Sequence, residues 1–151
     1  MSTAKPFYGF DPFVLGRSRE QIKAAAGAPD SISNDSFLEG SAQESWRYHS
    51  TGVELDFLED EDWRLASITV DSPAISLNGA CFVGMAAARL IEAAGAAGIA
   101  DLALAEDIEG DGSCYLSDAF GLMIWVANDV VVNLTLFPEY DETGERAIWP
   151  D

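Results

Sequence analysis

Apolar and polar residues alternate in Val53-Glu54-Leu55-Asp56-Phe57, and a second run, Leu122-Met123-Ile124-Trp125-Val126, stands 69 residues further on. A period of two marks a strand with one face on the core. Neighbouring runs extend the pattern to three strands in each half of the chain. These are residues 45–49, 52–58 and 64–70, then 113–118, 121–127 and 130–137. Asn128-Asp129 suits a tight two-residue hairpin turn, and residues 59–63 a looser one.

A helix is expected before each set of strands. Ser18 with Gln21 three residues later reads as a capping box, and Gly27 followed by Pro29 reads as a helix stop. The second helix ends at Gly95. The two halves resemble each other in order and spacing. Phe13-Val14-Leu15-Gly16 matches Cys81-Phe82-Val83-Gly84, Ile22 matches Leu90, and Gly52 matches Gly121. Ala66-Ser67-Ile68-Thr69-Val70 likewise matches Val132-Asn133-Leu134-Thr135-Leu136. The pattern predicts an α+β fold: two tandem helix-plus-antiparallel-meander repeats forming a sheet with helices packed on one face. Residues 1–151 are read as a single domain. Repeat one spans about 13–70, repeat two about 81–137, and a tail covers 138–151. Polar connections are expected over 30–44 and 96–112.

Alternation also sorts the two faces. Val53, Leu55 and Phe57, with Leu122, Ile124 and Val126, should pack under the helices. The opposite face then carries Glu54, Asp56, Met123 and Trp125, joined by Ser67, Thr69, Asn133 and Thr135. Trp46 and Tyr48 share a face that alternation alone does not assign. The tail, with Tyr140, Ile148 and Trp149, is the segment that could cover Met123 and Trp125. Trp63 sits in the acidic turn Glu59-Asp60-Glu61-Asp62, either exposed or folded back on the sheet edge.

Charge sharpens the picture. The chain carries 26 Asp and Glu against 8 Lys and Arg, a net charge of −18. Nucleic acid and anionic membrane surfaces are repelled by such a chain. Its hydrophobic content of 48% is too high for disorder. Between Leu90 and Glu145 there are 12 acidic residues and no Lys or Arg, whereas residues 1–89 hold 13 acidic and 7 basic. A negative body of this kind speeds encounter with a basic partner. Interfaces favour Trp and Met anchors within a charged rim. Glu54, Asp56, Trp63, Met123 and Trp125 are therefore the expected partner contacts, with Asp107, Glu109 and Asp111 at the rim.

The N-terminal residues show no signal-peptide pattern, and no apolar run reaches the length of a membrane span, so a cytoplasmic chain is expected. Cys81 and Cys114 then read as buried thiols. Asp107-Ile108-Glu109-Gly110-Asp111-Gly112 imitates the start of a calcium loop, but the twelfth position is Asp118 and a strand follows. An acidic loop without metal is the reading. The lone His49 has no nucleophile placed beside it by a motif, and Gly95-Ala96-Ala97-Gly98 lacks the strand–loop–helix context of a phosphate loop. No cofactor is expected, and the chain is read as a binding protein and not an enzyme.

Gly16-Arg17-Ser18, Gly27-Ala28-Pro29-Asp30, and Trp46-Arg47-Tyr48 followed by residues 53–57 resemble the repeat of the β-lactamase inhibitor protein and of small outer-membrane lipoprotein domains. That resemblance implies two repeats in one continuous sheet whose concave side grips a target enzyme. The chain differs in lacking a secretion signal and a cysteine pair in each repeat. The resulting expectation is an acidic immunity protein or inhibitor that neutralises a basic toxin or effector. The alternatives are a phage-type inhibitor mimicking nucleic acid, or an enzyme or small-ligand protein with a pocket between the repeats.

Overall fold

A computed structural model describes residues 2–36 and 42–150. Part of the expected 30–44 connection, residues 37–41, lies outside the described residues, as do Met1 and Asp151. The chain begins with three short strands, β1 (Ser2–Ala4), β2 (Gly9–Phe10) and β3 (Phe13–Val14), then α1 (Arg19–Ala26). Four strands follow: β4 (Ser31–Ser36), β5 (Ala42–Tyr48), β6 (Val53–Leu58) and β7 (Arg64–Val70). A short strand β8 (Ile75–Leu77) and helix α2 (Leu90–Ala96) lead to β9 (Ala103–Ile108), β10 (Gly112–Ser117), β11 (Leu122–Ala127) and β12 (Val130–Leu136). The tail forms a small hairpin of β13 (Glu139–Tyr140) and β14 (Ala147–Ile148).

Eight strands make one antiparallel sheet in the order β4-β5-β6-β7-β12-β11-β10-β9. Two four-stranded meanders meet at β7 and β12, where Val70 pairs with Leu134 and Thr69 with Thr135. Among the described residues strand accounts for 48% and helix for 15%, so the protein is mostly β. This overturns the α+β expectation of helix-plus-meander repeats, for two physical reasons. First, the supposed polar connections are themselves strands: β4 and β9 pair with β5 and β10 and form the two sheet edges. Second, the helices are short. The Ala-rich stretch before α2 does not become helix from its start, because Gly84 N donates to Val131 O and Met85 O accepts from Val131 N. The backbone there is tied to β12 and enters α2 only at Leu90.

Local signals explain the elements that do form. Ser18 Oγ accepts from Gln21 N while the Gln21 side chain accepts from Ser18 N, so α1 starts on a complete capping box. Gly27 ends it at φ +84. Asn128 and Asp129 both take positive φ, the geometry of a two-residue hairpin turn whose twist matches the flanking strands.

The core lies on one side of the sheet. Val53, Leu55, Phe57, Ile68, Ile124 and Leu134 are fully buried there. Ile22 of α1, Leu90 and Ala94 of α2, and Phe10, Phe13, Leu15 and Phe82 from the connecting segments join the same cluster. Trp46 and Tyr48 belong to this buried side; Tyr48 Oη donates to Gly27 O. The helices and N-terminal segment therefore cover one face, and the other is left without them. No helix is long and apolar enough to cross a membrane.

Candidate functional site

Strand register carries one row of side chains across the uncovered face. Arg47 pairs with Glu54, Glu54 with Thr69, Thr69 with Thr135, Thr135 with Met123, and Met123 with Leu116. A second row in the first meander runs from Ser33 through Ser45 and Asp56 to Ser67. In the second meander Asn133, Trp125, Cys114 and Glu106 line up. Of the expected contact residues, Glu54, Asp56, Met123 and Trp125 all stand on this face and are half-exposed.

The first meander's half of the face is polar and internally bonded. Asp56 accepts from Ser45 Oγ at 2.7 Å, from Gln43 Nε2 at 3.2 Å and from Ser67 Oγ at 2.9 Å. Asp56 is thus a structural hub as well as a surface charge. Arg47 Nη2 reaches Asp71 Oδ2 at 2.7 Å. Between them, Glu54 is held above the usual carboxylate range, first by burial and then by the charges of Asp56 and Asp71, with Arg47 opposing. The hydroxyls of Thr69 and Thr135 meet at 3.1 Å across the seam between the meanders.

The second meander's half is more apolar. Met123 and Trp125 lie between Thr135 and Asn133 on one side and Leu116 and Cys114 on the other. Leu116 is 40% exposed. The Cys114 thiol is buried, and burial with the nearby Glu106 charge pushes its pKa up, so it stays a thiol. Neither cysteine forms a disulfide; Cys114 is buried and Cys81 half-buried.

Asp107 at the end of β9 and Glu109 and Asp111 in the β9–β10 turn lie at one end of this face, all exposed. Asp107 Oδ1 accepts from Ser113 Oγ at 2.8 Å, and Asp111 N donates to Ile108 O. The turn and the β11–β12 turn border a shallow groove of about 270 Å³. Among the described residues, no group of three or more His, Cys, Asp or Glu could hold a metal ion.

Trp63 is not brought to the face. Asp62 and Trp63 both take positive φ, and the indole folds against the core side, with Arg19 of α1 4.6 Å from its ring centre. The tail does not blanket Met123 and Trp125 either. Trp149 packs at Gly16 beside Arg64, and Tyr140 lies with Phe7, Leu122 and Phe137. His49 is exposed in the β5–β6 turn, where its backbone N donates to Asp30.

Arg47, Gln43, Ser45, Asp71, Cys114 and Leu116 were not among the face residues expected from the sequence. The signal was there for three of them: once Trp46 and Tyr48 are known to face the core, alternation puts Gln43, Ser45 and Arg47 opposite. Comparison with protein-family models, curated proteins and solved structures finds no match to this chain.

Proposed function

We propose that this chain is a non-enzymatic binding protein that neutralises a basic toxin or effector protein by direct docking on the uncovered sheet face, as an immunity protein or inhibitor does. The observation that carries this reading is the register, which assembles carboxylates, hydroxyls, Met123 and Trp125 on one helix-free face of a chain with net charge −18. In this reading Met123 and Trp125 anchor the partner, because interface cores are enriched in aromatic residues and Met and a few such side chains carry most of the binding energy. Glu54 and Asp56 meet cationic side chains, and Asp107, Glu109 and Asp111 steer the approach. Trp63 is left out, since it serves the opposite side of the sheet. The chain acts in the cytoplasm, where its partner is made or arrives.

Co-purification from the native host at low salt tests the proposal, with wild type and a Glu54→Lys, Trp125→Ala double variant compared side by side. A basic protein is expected with wild type and absent from the variant, whose far-UV circular dichroism keeps the signature of the folded sheet. For the isolated pair, Trp125→Ala should weaken binding by about 2 kcal/mol. Recovery of no protein partner by wild type, or equal recovery by the folded variant, contradicts the reading.

A further inference from the structure

We propose that the cleft between the N-terminal segment, the start of α1 and the C-terminal tail binds an organic carboxylate with a flat apolar body. The cleft has a volume of about 520 Å³, and Tyr8, Arg17, Arg64 and Trp149 are on its wall. It lies apart from the face described above and takes a ligand of the opposite charge.

Unpaired positive charge is the first argument. Carboxylates outnumber cations by 26 to 8, so arginines in this chain have many possible partners. Arg19 pairs with Glu44 and Arg47 with Asp71. Arg17 and Arg64 form no ion pair among the described residues, and both line this cleft. Arg17 spends one guanidinium N–H on Pro12 O at 3.0 Å, which leaves its other donors for a ligand. Asp62, also on the wall, pairs with neither arginine. Two guanidiniums suit a carboxylate, whose two oxygens accept in parallel.

The fold does not require arginine at these places. Gly16 N donates to Leu65 O and Leu65 N to Arg17 O; in the other half Gly84 N donates to Val131 O and Val131 N to Met85 O. These matched hydrogen bonds put Met85 where Arg17 stands and Val130 where Arg64 stands. The same backbone junction is built with apolar side chains in one half and with two cations in the other.

Trp149 completes the wall. Gly16 has φ +91, and a Cβ there would stand 2.9 Å from Trp149 Cβ and 3.1 Å from Cδ2 and Cε3 of the indole. Glycine lets the tail close on the N-terminal segment, with the Arg64 guanidinium 5.8 Å from the indole centre. The first turn of α1 adds no recognition of its own, because Ser18 and Gln21 already cap each other. The net charge of −18 opposes an anion at long range, but at 0.15 M salt that field decays within about 8 Å, and contact with the guanidiniums survives.

Titration of the full 15N-labelled chain with sodium benzoate tests this, with benzyl alcohol and inorganic phosphate as comparisons. Benzoate should shift the Gly16 amide and the Trp149 indole N–H saturably, with a dissociation constant on the order of 1 mM. Arg17→Gln and Arg64→Gln should each weaken it about tenfold, as loss of a charged hydrogen bond does, while Arg89→Gln leaves it unchanged. The amide spectrum reports whether each variant stays folded, and Arg64 is exposed enough that its replacement leaves the core intact. Absence of saturable shifts with benzoate overturns the proposal. So does equal binding of benzyl alcohol, which would make the cleft merely apolar, or equal binding of phosphate, which would give the ring no part. An effect of Arg89→Gln as large as that of Arg17→Gln would reduce the result to general charge and overturn it too.

Discussion

The indole of Trp125 rests on the backbone of Gly112 in the neighbouring strand. A Cβ at position 112 would stand 3.1 Å from Cζ2 and 3.3 Å from Cε2 of the indole, and it would collide with the Val126 carbonyl oxygen. Gly112 has φ +141, a conformation open to glycine and strained for other residues. The proposed aromatic anchor is therefore seated by a glycine next to the acidic β9–β10 turn, and its position is fixed before any partner arrives.

Gly112→Ala should cost about 1–3 kcal/mol, from the strained φ and the clash with Val126. Urea unfolding measures the loss, and near-UV circular dichroism should show a changed tryptophan environment. An unchanged midpoint with an unchanged aromatic signal would mean that Trp125 does not lie on Gly112.

Asp56→Ala removes the acceptor of three hydrogen bonds and leaves the O–H of the buried Ser45 without its acceptor, although Ser45 Oγ still accepts from Gln43 Nε2. The expected cost is about 1–3 kcal/mol of stability. Asp56→Asn keeps one acceptor oxygen and should cost less. Chemical denaturation of both variants makes the comparison, and an Asp56→Ala protein as stable as wild type would remove Asp56 as the hub of this half of the face.

Much of this arrangement was legible in the chain, and the exceptions have physical causes. The sheet's central strands announce themselves because Val53, Leu55 and Phe57 must be buried while Glu54 and Asp56 need not be. The edge strand Ser31–Ser36 gives no such signal: all six side chains are exposed, so its strand character comes from backbone pairing with β5. Ala103–Ile108 is hidden for the same reason. These two omissions, with the weight given to two short helices, turned a mostly β protein into an expected α+β one. Trp63 was ambiguous because its direction depends on two consecutive positive-φ residues and on Arg19, which lies 44 positions earlier in the sequence. The cleft arginines Arg17 and Arg64 were silent for a related reason: only the backbone junction and the returning tail bring them together.

Glu54 gives the protein a pH dependence of definite sign. Its folded pKa is raised above the ordinary value near 4.5, so the folded state binds this proton more tightly than the unfolded state. The ionised group thus costs stability at neutral pH, and that cost disappears as pH falls through the folded value. Glu54→Gln should be the more stable protein at pH 7, and its advantage should shrink to nothing in acid. Thermal melting of both proteins from pH 7 to pH 4 checks this. A variant less stable than wild type at pH 7 would contradict the assignment. A basic partner placed on Glu54 favours the ionised form, so complex formation should release a proton and weaken as pH falls.

The central claim is that a basic partner docks on the uncovered sheet face. Site-specific photo-crosslinking tests it most directly, with a photoreactive residue replacing Met123 on that face or Ile91 on the outer side of α2, in cells that make this protein naturally. The account predicts one adduct of a basic protein from position 123, none from position 91, and loss of the adduct when Glu54→Lys is added. Adducts of equal yield from both positions, or an adduct from position 91 alone, would contradict it.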